Sequence, residues 1–302
     1  MLHDNPNAFT ANPLDKAGVQ RKDKDWLAAQ ARKPEARLLL FYRGELLIDR
    51  QPTTSQIQWL AMDALRTLPM DRETVLLGLW DGAPIYAVDA SHAEKPPFAD
   101  IASYANLRNA APFLPPQELA VAGQGMWLLN WHRQHRFCAY EGDRTVSAEG
   151  GFKRINERTG AEHFPRTDPV AIVLPIHGDE ICLGRSPHFP AGFMSCFAGY
   201  MEPGETLEQC AERELFEEVG LQATSMGYIF SQPWPFPHSL MMGFFAEVAS
   251  KDLTLDPTEI EEARWFSRKE AELVMNGEHA ILCPPRQAIA HQLIKLWLER
   301  TA

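Results

Sequence analysis

The sequence predicts an α/β protein with a mixed sheet, preceded by a smaller α+β region. Three observations carry that expectation. Strand-like segments at 170–174 and 180–183 precede one well-punctuated helix. Strand-like segments at 225–229 and 239–248 follow it, and two hairpin signals stand in the first 90 residues. Strands on both sides of a central helix imply an α/β sandwich. At 302 residues, 45% of them hydrophobic, the chain has core material for two domains.

Taken in order, 36–42 and 45–48 flank Arg43-Gly44, and 74–80 and 85–88 flank Asp81-Gly82. Short Gly-containing breaks between apolar runs predict hairpins. Residues 57–68 have helical spacing, and Pro115-Pro116 precedes a helical stretch from 118 to about 131. Residues 1–130 carry no chemical constellation and read as a scaffolding or dimerisation domain. Residues 131–166 read as irregular, rich in Gly and charge. Residues 167–302 hold the two strands around Gly178-Asp179, the central helix, the later strands, a short strand at 264–266 and an amphipathic helix at 286–299.

The formal net charge is −11, which repels nucleic acid and anionic membranes unless a local basic patch intervenes. No run of 18 apolar residues predicts a membrane span, and the N-terminus lacks a signal-peptide pattern. The five cysteines, Cys138, Cys182, Cys196, Cys210 and Cys283, form no C-x-x-C pair, which suits a cytoplasmic setting.

The chemistry concentrates at 199–221. Pro203-Gly204 signals a turn, Thr206 with Gln209 forms a capping box, and Gly220 is a helix stop. At about 100° per residue, Glu214, Glu217 and Glu218 fall on one side, beside the apolar Leu215 and Val219. They crowd the helix C-terminus, where the macrodipole and mutual repulsion disfavour negative charge. A divalent cation relieves both penalties, and carboxylates suit Mg²⁺ or Mn²⁺. Arg213 is expected to be a structural partner of Glu205 or Glu217.

Gly199, Glu205, Arg213, Glu214, Leu215, Glu217, Glu218, Gly220 and Leu221 fill every specified position of G-x5-E-x7-R-E-U-x-E-E-x-G-U, U being aliphatic. This resembles the signature of the Nudix hydrolases and implies the Nudix α/β/α sandwich. A second segment, S-Q-P-W-P-F-P-H-S at 231–239, is similar to a motif of the NADH pyrophosphatase subfamily. Its alternate prolines stiffen an extended backbone. Trp234 and Phe236 then project flat rings suited to a base or nicotinamide, while Gln232 and Ser239 can hydrogen-bond a ribose or phosphate. Further segments at 131–138, 163–169, 256–259 and 284–294 resemble the same subfamily.

The resemblance implies that the Ala198 carbonyl and Glu259 join Glu214, Glu217 and Glu218 around the metals. It implies substrate contacts from Tyr200, from Gln232, Pro233, Trp234, Pro235, Phe236, Pro237, His238 and Ser239, and from a backbone group of Ala290. The implied reaction is hydrolysis of NADH or NAD⁺ to nicotinamide mononucleotide and AMP by a cytoplasmic homodimer. Removal of an NAD cap from RNA 5′ ends is the alternative with the same chemistry, and a catalytically silent binding module is a third reading. One departure stands out. Where the subfamily has two C-x-x-C pairs of a zinc ribbon, this chain has Cys138, Glu141, Asn156 and Thr159. Asn and Thr are poor replacements for thiolate. The expectation is a degenerate ribbon-like linker without structural zinc, held by packing.

Overall fold

The computed structural model describes residues 5–50 and 54–300 and divides the chain into two compact units. The first comprises residues 9–167 and 234–238, the second residues 5–8, 168–233 and 239–300. Part of the N-terminal stretch read for a leader pattern, residues 1–4, lies outside the described residues.

In the first unit, α1 (Lys24–Gln30) starts at Asp23, whose carboxylate accepts from the amides of Asp25 and Trp26. Its strands are β1 (Arg37–Tyr42), β2 (Glu45–Arg50), β3 (Ser55–Ile57), β4 (Leu60–Ala61), β5 (Glu73–Trp80), β6 (Ala83–Asp89) and β7 (Ser103–Asn106). They form one sheet in the order β3-β2-β1-β6-β5, with β4 on β1 and β7 on β2. Both expected hairpin turns form, and each puts two consecutive residues at positive φ, Arg43-Gly44 and Asp81-Gly82. That pattern matches the right-handed twist of the strands.

The helical spacing at 57–68 does not produce an α-helix. Leu60 pairs with Leu38 of β1 and is buried, so strand pairing takes the apolar positions. Only a 3-10 turn, Met62–Thr67, follows. After the short α2 (Leu107–Ala110) comes α3 (Pro116–Gln134), with Pro at its first position. Gly125 lets α3 approach the sheet, because a Cβ there would lie 3.1 Å from Ala87 and 3.3 Å from Phe41.

The stretch read as irregular carries a small antiparallel sheet of β8 (Val146–Ala148), β9 (Lys153–Ile155) and β10 (Glu162–His163). Around it Arg158 pairs with Glu141 at 3.0 Å and Asp143 at 2.7 Å, and Asn156 donates to Asp143.

The second unit is built on β11 (Asp168–His177), β12 (Glu180–Arg185), β13 (Phe197–Tyr200), β14 (Ala223–Trp234), β15 (Ser239–Val248) and β16 (Glu262–Ser267). The order is β14-β15-β11-β12-β16, with β13 on β11. β11 and β15 are parallel while β11 and β12 are antiparallel, so the sheet is mixed. In both units the first strand of a hairpin pairs in parallel with a later strand, as β1 does with β6.

Side chains alternate along β11. Ala171 and Val173 pack with Cys210, Ala211, Leu215 and Val219 of α4 (Leu207–Val219). Ile172, Leu174 and Ile176 join a cluster with Leu293 and Trp297 of α6 (Ile289–Glu299). α5 (Arg268–Asn276), which the sequence reading overlooked, has its own capping box at Ser267/Glu270 and a left-handed stop at Gly277. α6 begins later than residue 286 because a turn, closed by the Ala288 amide on the Pro285 carbonyl, precedes it. Among the described residues no helix is long and apolar enough to cross a membrane.

Candidate active site

α4 begins and ends where its punctuation requires. The Thr206 hydroxyl accepts from the Gln209 amide, the Gln209 side chain accepts from the Thr206 amide, and Gly220 adopts φ 71°. With Leu215 and Val219 fully buried, the carboxylates flanking that apolar face divide. Glu214 and Glu218 are only 8% and 7% exposed, whereas Glu217 faces solvent.

Arg213 organises the charges. Its guanidinium donates to Glu205 at 2.5 and 3.0 Å, to Glu214 at 2.7 Å, to Glu217 at 2.9 Å and to the Tyr200 carbonyl at 3.0 Å. The hydrogen bond from Arg213, aided by the Glu202 amide, pulls the Glu205 carboxyl down to about 2. Gly199 on β13 sits directly under Glu214, and a Cβ there would lie 1.9 Å from the Glu214 carboxyl carbon.

Glu218 differs from its neighbours. Its Oε2 is buried without a hydrogen-bond partner. Burial, then the charges of Glu214 and Glu259, push its carboxyl up to about 8, opposed by a hydrogen bond from the Ala198 backbone. The loop carrying Glu259 is tied to the end of α4 by the amides of Thr254 and Asp256, which donate to the carbonyls of Val219 and Glu218. Glu259 itself is exposed.

Ala198, Glu214, Glu218 and Glu259 are therefore brought together, with Glu217 one helical turn along. Among the described residues no three acidic, His or Cys side chains already converge on one metal-sized point, and Glu214 and Glu217 both rest on Arg213. The orphaned Glu218 oxygen and the repelling carboxylates fit a hard divalent cation, since oxygen donors of this kind hold Mg²⁺ or Mn²⁺.

The 231–239 segment does several different things. Gln232 is fully buried, and its amide is saturated by the carbonyls of Ala8 and Gln287 and the amide of Ile289. It fixes the start of α6 rather than presenting a donor to a ribose or phosphate. Pro233 is half-buried, Pro235 buried and Pro237 exposed, and the Phe236–Pro237 peptide is cis. Trp234 and Phe236 meet edge to face at 5.0 Å, and each also meets Phe9 at 6.0 Å. His238 is buried beside Trp127. Ser239 is buried, with its Oγ 3.4 Å from the hydroxyl of the exposed Tyr200. Ala290 is buried in the first turn of α6, where backbone amides lack intrahelical partners.

Arg108 was missed in the sequence. Its guanidinium lies 4.6 Å from the Phe236 ring centroid and 5.5 Å from that of Trp234. An exposed arginine after a short helix start carries no local signal of that role.

Residues 166–283 match the NUDIX domain family and residues 35–131 the NADH pyrophosphatase-like rudimentary NUDIX domain. Residues 133–164 match the NADH pyrophosphatase zinc ribbon domain. A protein of Stutzerimonas stutzeri named NAD-capped RNA hydrolase NudC is 37% identical over 85% of this chain and 88% of its own length. Proteins of Macaca fascicularis and Homo sapiens named NAD-capped RNA hydrolase NUDT12 are each 32% identical over 97% of this chain and 73% of their own. The chain belongs to the Nudix hydrolases, in the NADH pyrophosphatase subfamily.

That membership corrects one expectation about this Nudix hydrolase. The absence of structural zinc, argued from missing thiols, is overturned by the zinc ribbon match over 133–164. Counting thiols ignored the local geometry of Cys138, whose sulfur is buried at a turn. Hydrogen bonds from the Glu141 and Tyr140 backbone and from Asn156 lower its pKa, as a metal-binding thiolate requires. Cys138 and Glu141 stand at two of the four ribbon positions and carry donor atoms suited to a cation.

The Glu218 environment sets a stability test for the metal-free Nudix hydrolase. A carboxyl raised from 4.5 to about 8 keeps its proton in the folded state across a window where the unfolded chain has released it. Stability should therefore fall as pH rises from about 5 to 8. Glu218→Gln is expected to flatten that fall, so its melting temperature in EDTA gains on the parent more at pH 8 than at pH 5. An unchanged slope would show that Glu218 ionises normally in the fold.

Proposed function

We propose that this protein is a metal-dependent NAD(H) diphosphatase, giving nicotinamide mononucleotide and AMP, and that it removes NAD caps from RNA 5′ ends by the same chemistry. The observation that carries the reading is the buried, unpartnered Glu218 oxygen beside Glu214, Glu259 and Ala198, on the helix of the Nudix signature. The names of the relatives and the NADH pyrophosphatase-like and zinc ribbon matches support the substrate class. A silent binding module has no need of four intact carboxylates that repel one another. The domain roles in this reading are a scaffold over 1–130, a ribbon over 131–166 and the hydrolase over 167–302. The five free cysteines support a cytoplasmic setting.

Glu214, Glu218, Glu259 and the Ala198 carbonyl would hold Mg²⁺ or Mn²⁺, which supplies charge neutralisation at the diphosphate and polarises water. Arg213 positions Glu214 and Glu217 through one shared nitrogen. Glu217, solvent-facing, is the carboxylate able to accept a proton from the attacking water. Tyr200 offers an exposed ring for stacking on the substrate. Trp234 and Phe236, stiffened by the prolines and backed by Arg108, form the candidate selectivity surface.

The direct test is turnover of NADH and of NAD-capped RNA with Mg²⁺ or Mn²⁺, and no release of nicotinamide mononucleotide from either would refute the reading. Within it, Trp234→Ala or Phe236→Ala should lower kcat/KM for NADH by roughly ten- to hundredfold, since a base–ring stack is worth about 1–3 kcal/mol. An unchanged ratio of NADH to ADP-ribose hydrolysis in both variants would remove this loop from the selectivity surface.

A further inference from the structure

The first unit contains a second polar site that the diphosphatase chemistry does not use. A cavity of about 60 Å³ is lined by five arginines, Arg72, Arg133, Arg136, Arg144 and Arg154, by the carboxylates of Asp71, Glu73 and Asp89, and by the buried His132. Arg154 is itself only 5% exposed. Its guanidinium is locked by the Thr145 hydroxyl and carbonyl, both at 2.8 Å, by Glu73 at 3.0 Å and by the His132 Nδ1 at 2.6 Å. The Arg154 side of the wall is thus a built structure, whereas Arg133 and Arg144 are exposed.

The three acids that line the cavity offset its positive charge only in part. Glu73 is engaged by Arg154, Asp71 by His92 at 2.5 Å, and Asp89 by the Ser91 amide and hydroxyl. Among the described residues, Arg72, Arg133, Arg136 and Arg144 make no ion pair with a carboxylate. Arg72 donates to the Leu68 and Pro69 carbonyls, and its buried Nε has no partner. Arg133 donates to Asn130, and Arg136 lies 3.3 Å from His92. Five guanidinia face three carboxylates around one small cavity, an excess of two positive charges in a chain whose net charge is −11.

We propose that this cavity binds a phosphodiester of the RNA body behind an NAD cap. The inference rests on the NAD-cap reading above. Guanidinium forks match phosphate oxygens bidentately and stay charged at every working pH. The volume corresponds to roughly two waters at about 30 Å³ each, the size class of one phosphate group. NADH brings only the two phosphates that the carboxylate site must take, whereas a capped RNA brings further phosphates along its backbone. The cavity is also the local basic patch that an acidic protein needs in order to hold an RNA backbone.

The test uses the full chain carrying Arg133→Gln, Arg136→Gln and Arg144→Gln, leaving the buried Arg154 and His132 untouched. Fluorescence anisotropy in EDTA, with a 5′-NAD-capped 20-nucleotide RNA, reads binding without turnover. The variant should bind at least tenfold more weakly, and its log K against log salt should flatten by about one unit per lost phosphate contact. Its kcat/KM for NADH should stay within twofold of the parent. Equal RNA affinity in parent and variant overturns the proposal. So does an equal loss on NADH and RNA, which marks a structural role. If the variant loses only inorganic phosphate binding, the cavity serves free phosphate and the RNA assignment fails. Because binding is read separately, failure of the parent to hydrolyse capped RNA would count against the functional reading alone.

Discussion

Glu218→Gln is expected to lower kcat on NADH by at least a hundredfold at saturating Mg²⁺ or Mn²⁺, with the fold intact. Removing one electrostatic stabiliser from a reacting centre typically costs 10²- to 10³-fold. Glu218 has the strongest case because its Oε2 is buried without a partner, while burial and two neighbouring carboxylates disfavour its charge. A neutral amide suits that metal-free pocket, so the variant should melt no lower than the parent while losing its activity. Glu214→Gln should follow closely, with some loss of stability, because Glu214 also accepts from Arg213 at 2.7 Å. Steady-state kinetics over a metal titration, alongside melting curves, separates the two effects. A Glu218→Gln enzyme with near-parental kcat at saturating metal would show that the assignment is wrong.

The second large effect is expected from the smallest change, Gly199→Ala. The added Cβ would fall 1.9 Å from the Glu214 carboxyl carbon and about as close to both oxygens, at 2.0 and 2.1 Å. Glu214 cannot yield freely. Its oxygen is held by Arg213, which is itself held by Glu205 and the Tyr200 carbonyl. Either Glu214 leaves its position or β13 moves away from α4, and overpacking of this kind typically costs 1–3 kcal/mol. The prediction is a lowered melting temperature together with a kcat at least tenfold below the parent. Gly227→Ala is the control, because a Cβ at that position meets nothing within 4 Å. Parental kinetics in Gly199→Ala would mean that Glu214 has room to spare and is not placed by this contact.

How legible these features were depended on how local their causes are. The capping box, the helix stop and both hairpin turns were readable because each is decided by a few consecutive residues. The misread stretch at 57–68 is instructive: its apolar spacing suits a helix, yet pairing of Leu60 with Leu38 of β1 outweighs a weak local preference. Gln232 had the right chemistry for a substrate donor, but its partners, Ala8, Gln287 and Ile289, are distant in sequence. The zinc expectation failed for a related reason. Thiols can be counted from a sequence, whereas the amide-lined turn at Cys138 belongs to the folded segment.

The sequence by itself marked the reaction class through its resemblance to the Nudix signature, all nine specified positions from Gly199 to Leu221 being filled. It also determined where the helix begins and ends, and it marked the stiffened segment that bears Trp234 and Phe236. Only the tertiary structure decided which carboxylate is the strained one. Glu214, Glu217 and Glu218 are alike in sequence, but burial raises the carboxyls of both Glu214 and Glu218, and Glu218, without an arginine partner, resists ionisation most. Only the fold gathers Arg72, Arg133, Arg136, Arg144 and Arg154 around one cavity, or sets Arg108 over two rings more than a hundred residues away. Charge and spacing along a chain are properties of the sequence. Desolvation and the company of distant side chains arise only when the chain has folded, and they select the working groups from the many with suitable chemistry.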